Sequence, residues 1–465
     1  MSAARAERVV VVVLDGLRPD MIDAARTPNL AAFAREGVRF TESRSVFPSM
    51  TRVATTSTAT GRWPRAHGIV GNSFHAPHLL RGAALDTSRA EHVGRLETDA
   101  GGAVHALSLG ERLAAAGLRM GAAHCGSAGS AFLINHRVAE NGHWTFSPNG
   151  GAATRTPAAV ARAEAEIGPL PGGQIPKIAA VDYAAEVAIR HGLAPDGPEL
   201  VVIWLPEPDT AYHYRELGSE ETLRALAAAD AAFGRIRDAA TEGPRGARTA
   251  VIAMSDHGQI TTTGRFEIEA ALRADGFAAA AEPGEGDRVA LTRGRSGELR
   301  LLVDDPGLRA ALADWLMARP EIGMVFARDD VSQAIEGALP LSAVALDHAR
   351  APDLVYVARC EDAEDRWGLP GRGLATGGPP VGGGMHGGLN RHELATVLMV
   401  SAPDGASGVS DARPCGLVDV APTALELLGL DTAGCDGAAL PLDGEAAPPV
   451  DPIELVAARP GFRQR

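Results

Sequence analysis

The run Arg8-Val9-Val10-Val11-Val12-Val13-Leu14-Asp15-Gly16 decides the architecture. Six consecutive apolar residues place apolar side chains on both faces of an extended chain. That pattern predicts a central parallel strand covered on both sides rather than a half-exposed one. The run is too short to cross a membrane. No small-residue cleavage site follows it, so it does not read as a signal peptide.

Similar runs recur at Leu200–Leu205, 250–254, 354–357 and 395–400. Helical spacing fills the intervals at 27–37, 107–117, 181–191, 220–240 and 417–428, with Pro28 and Gly37 as boundary signals for the first. Strands alternating with helices predict an α/β chain with a mostly parallel central sheet and helices on both faces. Residues 126–173 are rich in Gly, Asn, Pro and Ser and read as long loops. Residues 262–380 carry their own strand and helix signals and read as an inserted, smaller α+β cap, with the Gly/Pro-rich stretch 368–384 as its return linker. The expected division is a catalytic core of 1–261 and 381–440, the cap, and a weakly structured tail at 441–465.

Composition removes several function classes. With 465 residues, 45% of them hydrophobic, the chain can bury a large core without disulfide or metal staples. The formal net charge of −14 and the lack of any Lys/Arg-rich run argue against binding a nucleic-acid polymer. Basic residues are almost all Arg; the only lysine is Lys177. The cysteines Cys125, Cys360, Cys415 and Cys435 form no CxxC pair, which argues against a thiolate zinc site. They read as reduced thiols of a soluble cytoplasmic protein, although Cys415 and Cys435 could pair. No further stretch reaches membrane-spanning length, and the oligomeric state stays open.

Three strand-like runs lead into metal-ligand residue types. Residues 9–14 end at Asp15. Leu200–Leu205 leads through Pro206-Glu207-Pro208 to Asp209, with His213 four residues on, a spacing that suits one face of a helical turn. Residues 250–254 lead to Ser255-Asp256-His257-Gly258. In open α/β sheets ligands bind at the carboxyl ends of the strands, so these groups are expected in one crevice. His386 stands in Gly382-Gly383-Gly384-Met385-His386-Gly387-Gly388, where so many glycines imply close backbone approach. Taken singly, each has a plain reading as a helix cap, turn former or loop residue. Together three Asp and three His form a nitrogen/oxygen set for two adjacent divalent ions, zinc first, with manganese or iron as alternatives.

The stretch Val46-Phe47-Pro48-Ser49-Met50-Thr51-Arg52-Val53-Ala54-Thr55-Thr56 reads as a turn and then a small-residue helix ending near Gly61. A hydroxyl at that helix start would sit among free N–H groups, which suits a phosphate, yet Ser and Thr also serve as plain N-caps.

As an ordered set these pieces resemble the alkaline phosphatase superfamily, in its nucleotide pyrophosphatase/phosphodiesterase and phosphonoacetate hydrolase branch. The matching pieces are Leu14-Asp15-Gly16-Leu17-Arg18, Thr27-Pro28-Asn29-Leu30, the Phe47–Thr51 turn, Thr60-Gly61, His67-Gly68-Ile69, Pro208-Asp209 with His213, Ser255-Asp256-His257-Gly258 and His386-Gly387-Gly388. The resemblance implies an alkaline phosphatase-like fold and a small phosphorus-containing substrate. It assigns one ion to Asp15, Thr51, Asp256 and His257, and the second to Asp209, His213 and His386. It selects Thr51 over Ser49 as a nucleophile that becomes a covalent phospho-threonine. It also implies an Asn donor at position 54, where this chain has Ala54, so Arg52 or Asn72 is the candidate to hold the phosphoryl oxygens. The implied activity is hydrolysis of phosphodiester or pyrophosphate bonds. Phosphonate (phosphonoacetate-like) or phosphomonoester hydrolysis is the alternative, and a phosphoryl transferase or a non-catalytic metal-binding relative is the third reading. A sulfatase reading lacks its Cys/Ser-x-Pro-x-Arg motif.

Overall fold

The structure is a computed structural model that describes residues 4–464 apart from 100, 446, 448, 449 and 452. The valine run forms the strand Arg8–Leu14 in the middle of an eight-stranded sheet. It pairs in parallel with Leu200–Leu205 on one side and Thr249–Met254 on the other. All seven of its residues are buried. Side chains alternate across the sheet. Val9, Val11 and Val13 join one core with Val53, Ala54 and Ala59 of the helix Thr51–Thr60. Val10, Val12 and Leu14 join the other with Leu226, Phe233 and Ile236 of the helix Glu220–Glu242. Each buried valine stabilises the fold by about 2 kcal/mol, so the run holds both layers together.

Across the sheet the order is Val409–Gly416, Val38–Arg44, Leu398–Ser401, Thr249–Met254, Arg8–Leu14, Leu200–Leu205, Met120–His124, Trp144–Phe146. Leu398–Ser401 alone among them runs against its neighbours. The strand Met120–His124 has the sequence MGAAH, with none of the β-branched residues that mark the valine run; tertiary pairing overrides its weak local preference. Residues 126–173, expected as loops, contain the helices Ala128–Leu133 and Pro157–Ile167 and the strand Trp144–Phe146.

The run expected at 354–357 is a strand, Leu354–Ala358, but of a separate six-stranded mixed sheet. Leu312 and Leu316 of the helix Pro306–Met317 pack on that sheet with Val325 and Tyr356. A four-stranded sheet joins Cys360–Glu364, Pro370–Ala375, Ile260–Arg265 and Gly384–Met385. The stretch 368–384 is therefore built into a sheet rather than serving as a plain linker. Near the end of the chain, Ala457–Arg459 and Phe462–Gln464 pair as a hairpin, and the Gln464 side chain exchanges hydrogen bonds with the backbone of Val325. All four cysteines are free, so Cys415 and Cys435 do not pair. No helix among the described residues is long and apolar enough to cross a membrane.

Candidate metal centre and active site

The carboxyl ends of the three central strands meet. Asp15 follows Arg8–Leu14, Asp256 and His257 follow Thr249–Met254, and Asp209 opens the helix Asp209–Arg215 just beyond Leu200–Leu205. His213 lies one turn along that helix, its Nε2 3.3 Å from Asp209 Oδ1. His386 Nε2 comes within 3.6 Å of the same oxygen. Asp209, His213 and His386 form one group able to hold an ion, and Asp15, Asp209 and His257 form a second. Asp209 belongs to both, so the two groups are contiguous.

Asp256 and Thr51 also lie beside His257 and Asp15, at distances that suit a common ion. His257 Nε2 lies 3.1 Å from Asp256 Oδ2 and 3.5 Å from Asp15 Oδ1, and Thr51 Oγ1 lies 3.2 Å from His257 Nε2. Four ligand atoms about 2 Å from a tetrahedral ion stand about 3.3 Å apart. Hydrogen bonding gives an independent test of fit. Asp15 Oδ2 accepts from Trp204 Nε1 at 2.9 Å, and Asp256 Oδ1 accepts from the backbone N–H of Gly16 and of His257. The opposite oxygens, Asp15 Oδ1 and Asp256 Oδ2, are buried with no hydrogen-bond partner. A buried carboxylate oxygen without a donor is costly, and a cation removes that cost. Each imidazole has its Nδ1 against a backbone carbonyl: His213 on Gly384, His386 on Ser49 and His257 on Gly258. That arrangement fixes the tautomer and leaves Nε2 as the ligand. The residues therefore fit two divalent ions.

Electrostatics point the same way. Burial raises the Asp15 carboxyl well above its ordinary range, and the neighbouring Asp256 and Asp209 add to the shift. Burial likewise raises Asp256. Burial, with His257 and His213 beside it, pushes His386 well down, which keeps it neutral. Crowded acids beside a neutral His386 favour a bound positive charge.

Thr51 is the first residue of the helix Thr51–Thr60, 6% exposed, and its hydroxyl faces this cluster. Ser49 is fully buried; its hydroxyl donates to the Gly388 carbonyl and accepts from Gly387 N–H, so it braces the His386 loop. Thr51, Arg52, Asn72, Asp209, His213 and His386 line one cleft of about 360 Å³. Ala54 faces the core with no exposure, so a side chain at position 54 does not reach the cleft. Asn72 does, and its Oδ1 accepts the Arg52 backbone N–H at 3.1 Å. The glycine run has a steric cause: a Cβ on Gly383 would strike the His213 carbonyl, and one on Gly384 the Gln259 side chain.

The chain matches the type I phosphodiesterase / nucleotide pyrophosphatase family over residues 9–361. It belongs to that family. The matched span covers most strands of the eight-stranded sheet and all of the six-stranded one, and the family is one of phosphodiesterase/pyrophosphatase-type hydrolases. An uncharacterized pyrophosphatase/phosphodiesterase of Schizosaccharomyces pombe is 39% identical over 69 residues, 15% of this chain and 14% of that protein. The Mus musculus bis(5'-adenosyl)-triphosphatase is 35% identical over 74 residues, 16% of each. The chain thus spans only a small part of these relatives' lengths in alignment. Solved structures extend the likeness to the whole fold. Phosphonoacetate hydrolase from Sinorhizobium meliloti, in complex with phosphonoformate, superposes with a TM-score of 0.65 at 19% identity, covering 91% of this chain and 96% of that one. Murine ectonucleotide pyrophosphatase / phosphodiesterase 5, an inactive Thr-to-Ala variant in complex with AMP, superposes with a TM-score of 0.62 at 18% identity, covering 94% and 97%. The alkaline phosphatase-like fold expected from the sequence is the fold found.

Several site residues of this phosphodiesterase-family chain carry no sequence motif. Trp204 holds Asp15, and Gln259 Nε2 donates to Asp209 Oδ1 at 2.5 Å. Gln259 directly follows Asp256-His257-Gly258, a proximity that could have flagged it. Lys177, Tyr214 and Arg293 also line the cleft. Among these, Lys177 alone had a signal, as the single lysine of the sequence.

Proposed function

We propose that the chain hydrolyses phosphodiester or pyrophosphate bonds of a small phosphorus-containing substrate through a covalent phospho-threonine on Thr51. One observation carries this reading: the Thr51 hydroxyl opens a helix and faces two contiguous groups of metal-ligand side chains joined at Asp209. Asp15, Asp256, His257 and Thr51 would hold one divalent ion, and Asp209, His213 and His386 the other. Zinc is favoured by the nitrogen/oxygen ligand set. Two such ions lower the pKa of a bound hydroxyl and neutralise charge on the attacking and departing oxygens.

The chain's own residues supply the rest. Thr51 Oγ loses its proton to solvent water in the open cleft and forms a bond to phosphorus as the bond to the leaving group breaks, the leaving group departing as an anion that solvent protonates. The N–H groups at the start of Thr51–Thr60 and the Asn72 amide hold the phosphoryl oxygens as charge builds on them. Arg52, whose buried Nε has no hydrogen-bond partner among the described residues, supplies a planar cation to the same oxygens. Water then attacks phosphorus, the bond to Oγ breaks, and the threonine hydroxyl is restored.

A second reading, hydrolysis of a phosphonate or phosphomonoester, is favoured by Arg52, which lines the cleft, forms no ion pair among the described residues and suits a doubly charged phosphoryl group. Rates on bis-p-nitrophenyl phosphate, p-nitrophenyl phosphate, p-nitrophenyl phenylphosphonate and phosphonoacetate decide between them. Preference for the diester supports the first reading. Preference for a monoester or phosphonate supports the second, and turnover of none of them contradicts both.

A further inference from the structure

We propose that Trp204 and His124 form a two-ring brace that turns the Asp15 carboxylate towards the metal centre. Trp204 is a positioning residue for Asp15, and His124 is one for Trp204. This rests on the two-metal reading above and adds to it the residues that orient one of its acids.

Backbone pairing does not by itself orient the Asp15 side chain. Its N–H donates to the Leu205 carbonyl at 3.1 Å, which leaves either carboxylate oxygen able to face an ion. Trp204, paired in register with Val13 on the neighbouring strand, makes the choice. Its Nε1–H donates to Oδ2 at 2.9 Å, so Oδ1 is the oxygen that faces His257 Nε2 at 3.5 Å. The indole N–H is a donor only. An ion on the Oδ2 side would displace it and leave it buried without a partner, which is costly.

Trp204 is the largest fully buried side chain among the described residues. It packs in the same core layer as Leu200, Val202 and Val53. A leucine or phenylalanine would fill that layer with hydrocarbon alone. An indole brings a polar edge into the core, and a buried indole N–H needs a partner. Here the partner is a metal-ligand acid.

His124 ends the strand Met120–His124 and is paired in register with Trp204. The two rings stack with 4.9 Å between centroids and 16° between planes. His124 is buried, and burial pushes its imidazole down to about 3, so the ring is neutral. Gly126 N–H donates to its Nδ1 at 3.2 Å, which places the ring proton on Nε2. That Nε2 is buried with no hydrogen-bond partner. A core position that needed only volume would carry a hydrocarbon and avoid the loss. The imidazole instead offers a flat face whose plane is set by its own turn, and that face holds the indole edge on Asp15.

Zinc binding to the metal-free protein tests the brace without turnover. Calorimetric titrations compare the wild type with Trp204→Phe, His124→Ala and His124→Phe, and urea midpoints report on folding. Trp204→Phe keeps a ring against His124 and removes the donor. The brace predicts that one of the two ions binds about 10–100-fold more weakly in Trp204→Phe, with the other unchanged. It predicts a smaller loss at the same ion in His124→Ala, and recovery of most of that loss in His124→Phe. Unchanged affinity for both ions in Trp204→Phe overturns the proposal. So does equal weakening of both ions in step with a lower urea midpoint, which is what lost packing alone would give. The wild type supplies a further measurement that does not depend on any variant folding. Trp204 is the one buried tryptophan of the five, so its indole N–H should be the slowest of them to exchange with solvent in NMR spectra of nitrogen-15-labelled protein. The brace predicts that this resonance shifts on zinc binding, and a resonance unmoved by saturating zinc overturns it. Failure of the wild type to bind zinc overturns the two-metal reading itself.

Discussion

The hydroxyl of Thr51 lies 3.2 Å from Nε2 of His257, although the two residues come from different elements, a helix start and a strand end. The same Nε2 faces Asp15 and Asp256. Thr51 thus stands as one more oxygen among ligand atoms, and its loss should separate binding from chemistry. Thr51→Ala should keep about two ions per chain and lose activity by a factor on the order of 10⁴ or more. Parallel metal analysis and steady-state rates check this. Near-normal turnover in the variant would remove the nucleophile assignment.

Removing a ligand from the other group should act on the metal first. Asp209→Asn and His386→Ala should lower metal content from about two ions per chain towards one. Asp209 belongs to both groups, so its substitution should cost more metal than that of His386. Elemental analysis after dialysis reads both values; unchanged content in both variants would contradict the ligand assignment.

The His386 loop depends on an ion pair buried at both ends, Arg295 Nε to Glu393 Oε1 at 3.3 Å. Glu393 also accepts from Gly388 N–H at 2.9 Å and from Asn390 N–H at 3.3 Å. Glu393→Ala leaves a buried guanidinium unpaired, at a cost of about 3–5 kcal/mol. It also frees the loop that aims His386, so metal affinity should fall about 10–100-fold. Glu393→Gln should lose less of both. Urea unfolding and metal titration test this, and equal stability of Glu393→Ala and wild type would contradict it.

Glu298 offers a pH test away from the metal ligands. It is buried in the smaller sheet, accepts the His75 backbone N–H at 2.5 Å, and burial pushes its carboxyl from 4.5 up to about 7. The folded value lies above the unfolded one. The neutral acid's contribution is therefore fully present below about 4.5 and is lost as pH rises through about 7. Glu298→Gln cannot ionise, so its stability relative to wild type should rise by about 3 kcal/mol between about pH 4 and pH 8. Urea denaturation at the two pH values measures it; a difference independent of pH would show that Glu298 does not titrate in this range.

Much of this arrangement could be read along the chain because the ligands follow strands. Asp15, Asp256 and His257 sit directly after runs whose apolar pattern gives the strand away, and strand ends in an α/β sheet converge. Asp209 and His213 keep helical spacing within a single turn. What escaped the sequence was set by tertiary contact. Met120–His124 becomes a strand only because its neighbours pair with it. Trp204 points its Nε1–H at Asp15 from inside a strand that otherwise reads as plain core. Lys177 and Arg293 reach the cleft from distant segments, and no local pattern announces such convergence. Asn72 and Arg52, named from the sequence as candidate donors because position 54 is Ala54, do line the cleft, while Ala54 packs on the sheet.

The central claim is that Thr51 itself carries the phosphoryl group. Rapid acid quench of the metal-loaded enzyme during turnover of bis-p-nitrophenyl phosphate, followed by peptide mass mapping, tests it most directly. The account predicts one phosphoryl adduct, located on Thr51 and absent from Thr51→Ala. An adduct on another residue, or full turnover with Thr51 never modified, would contradict it.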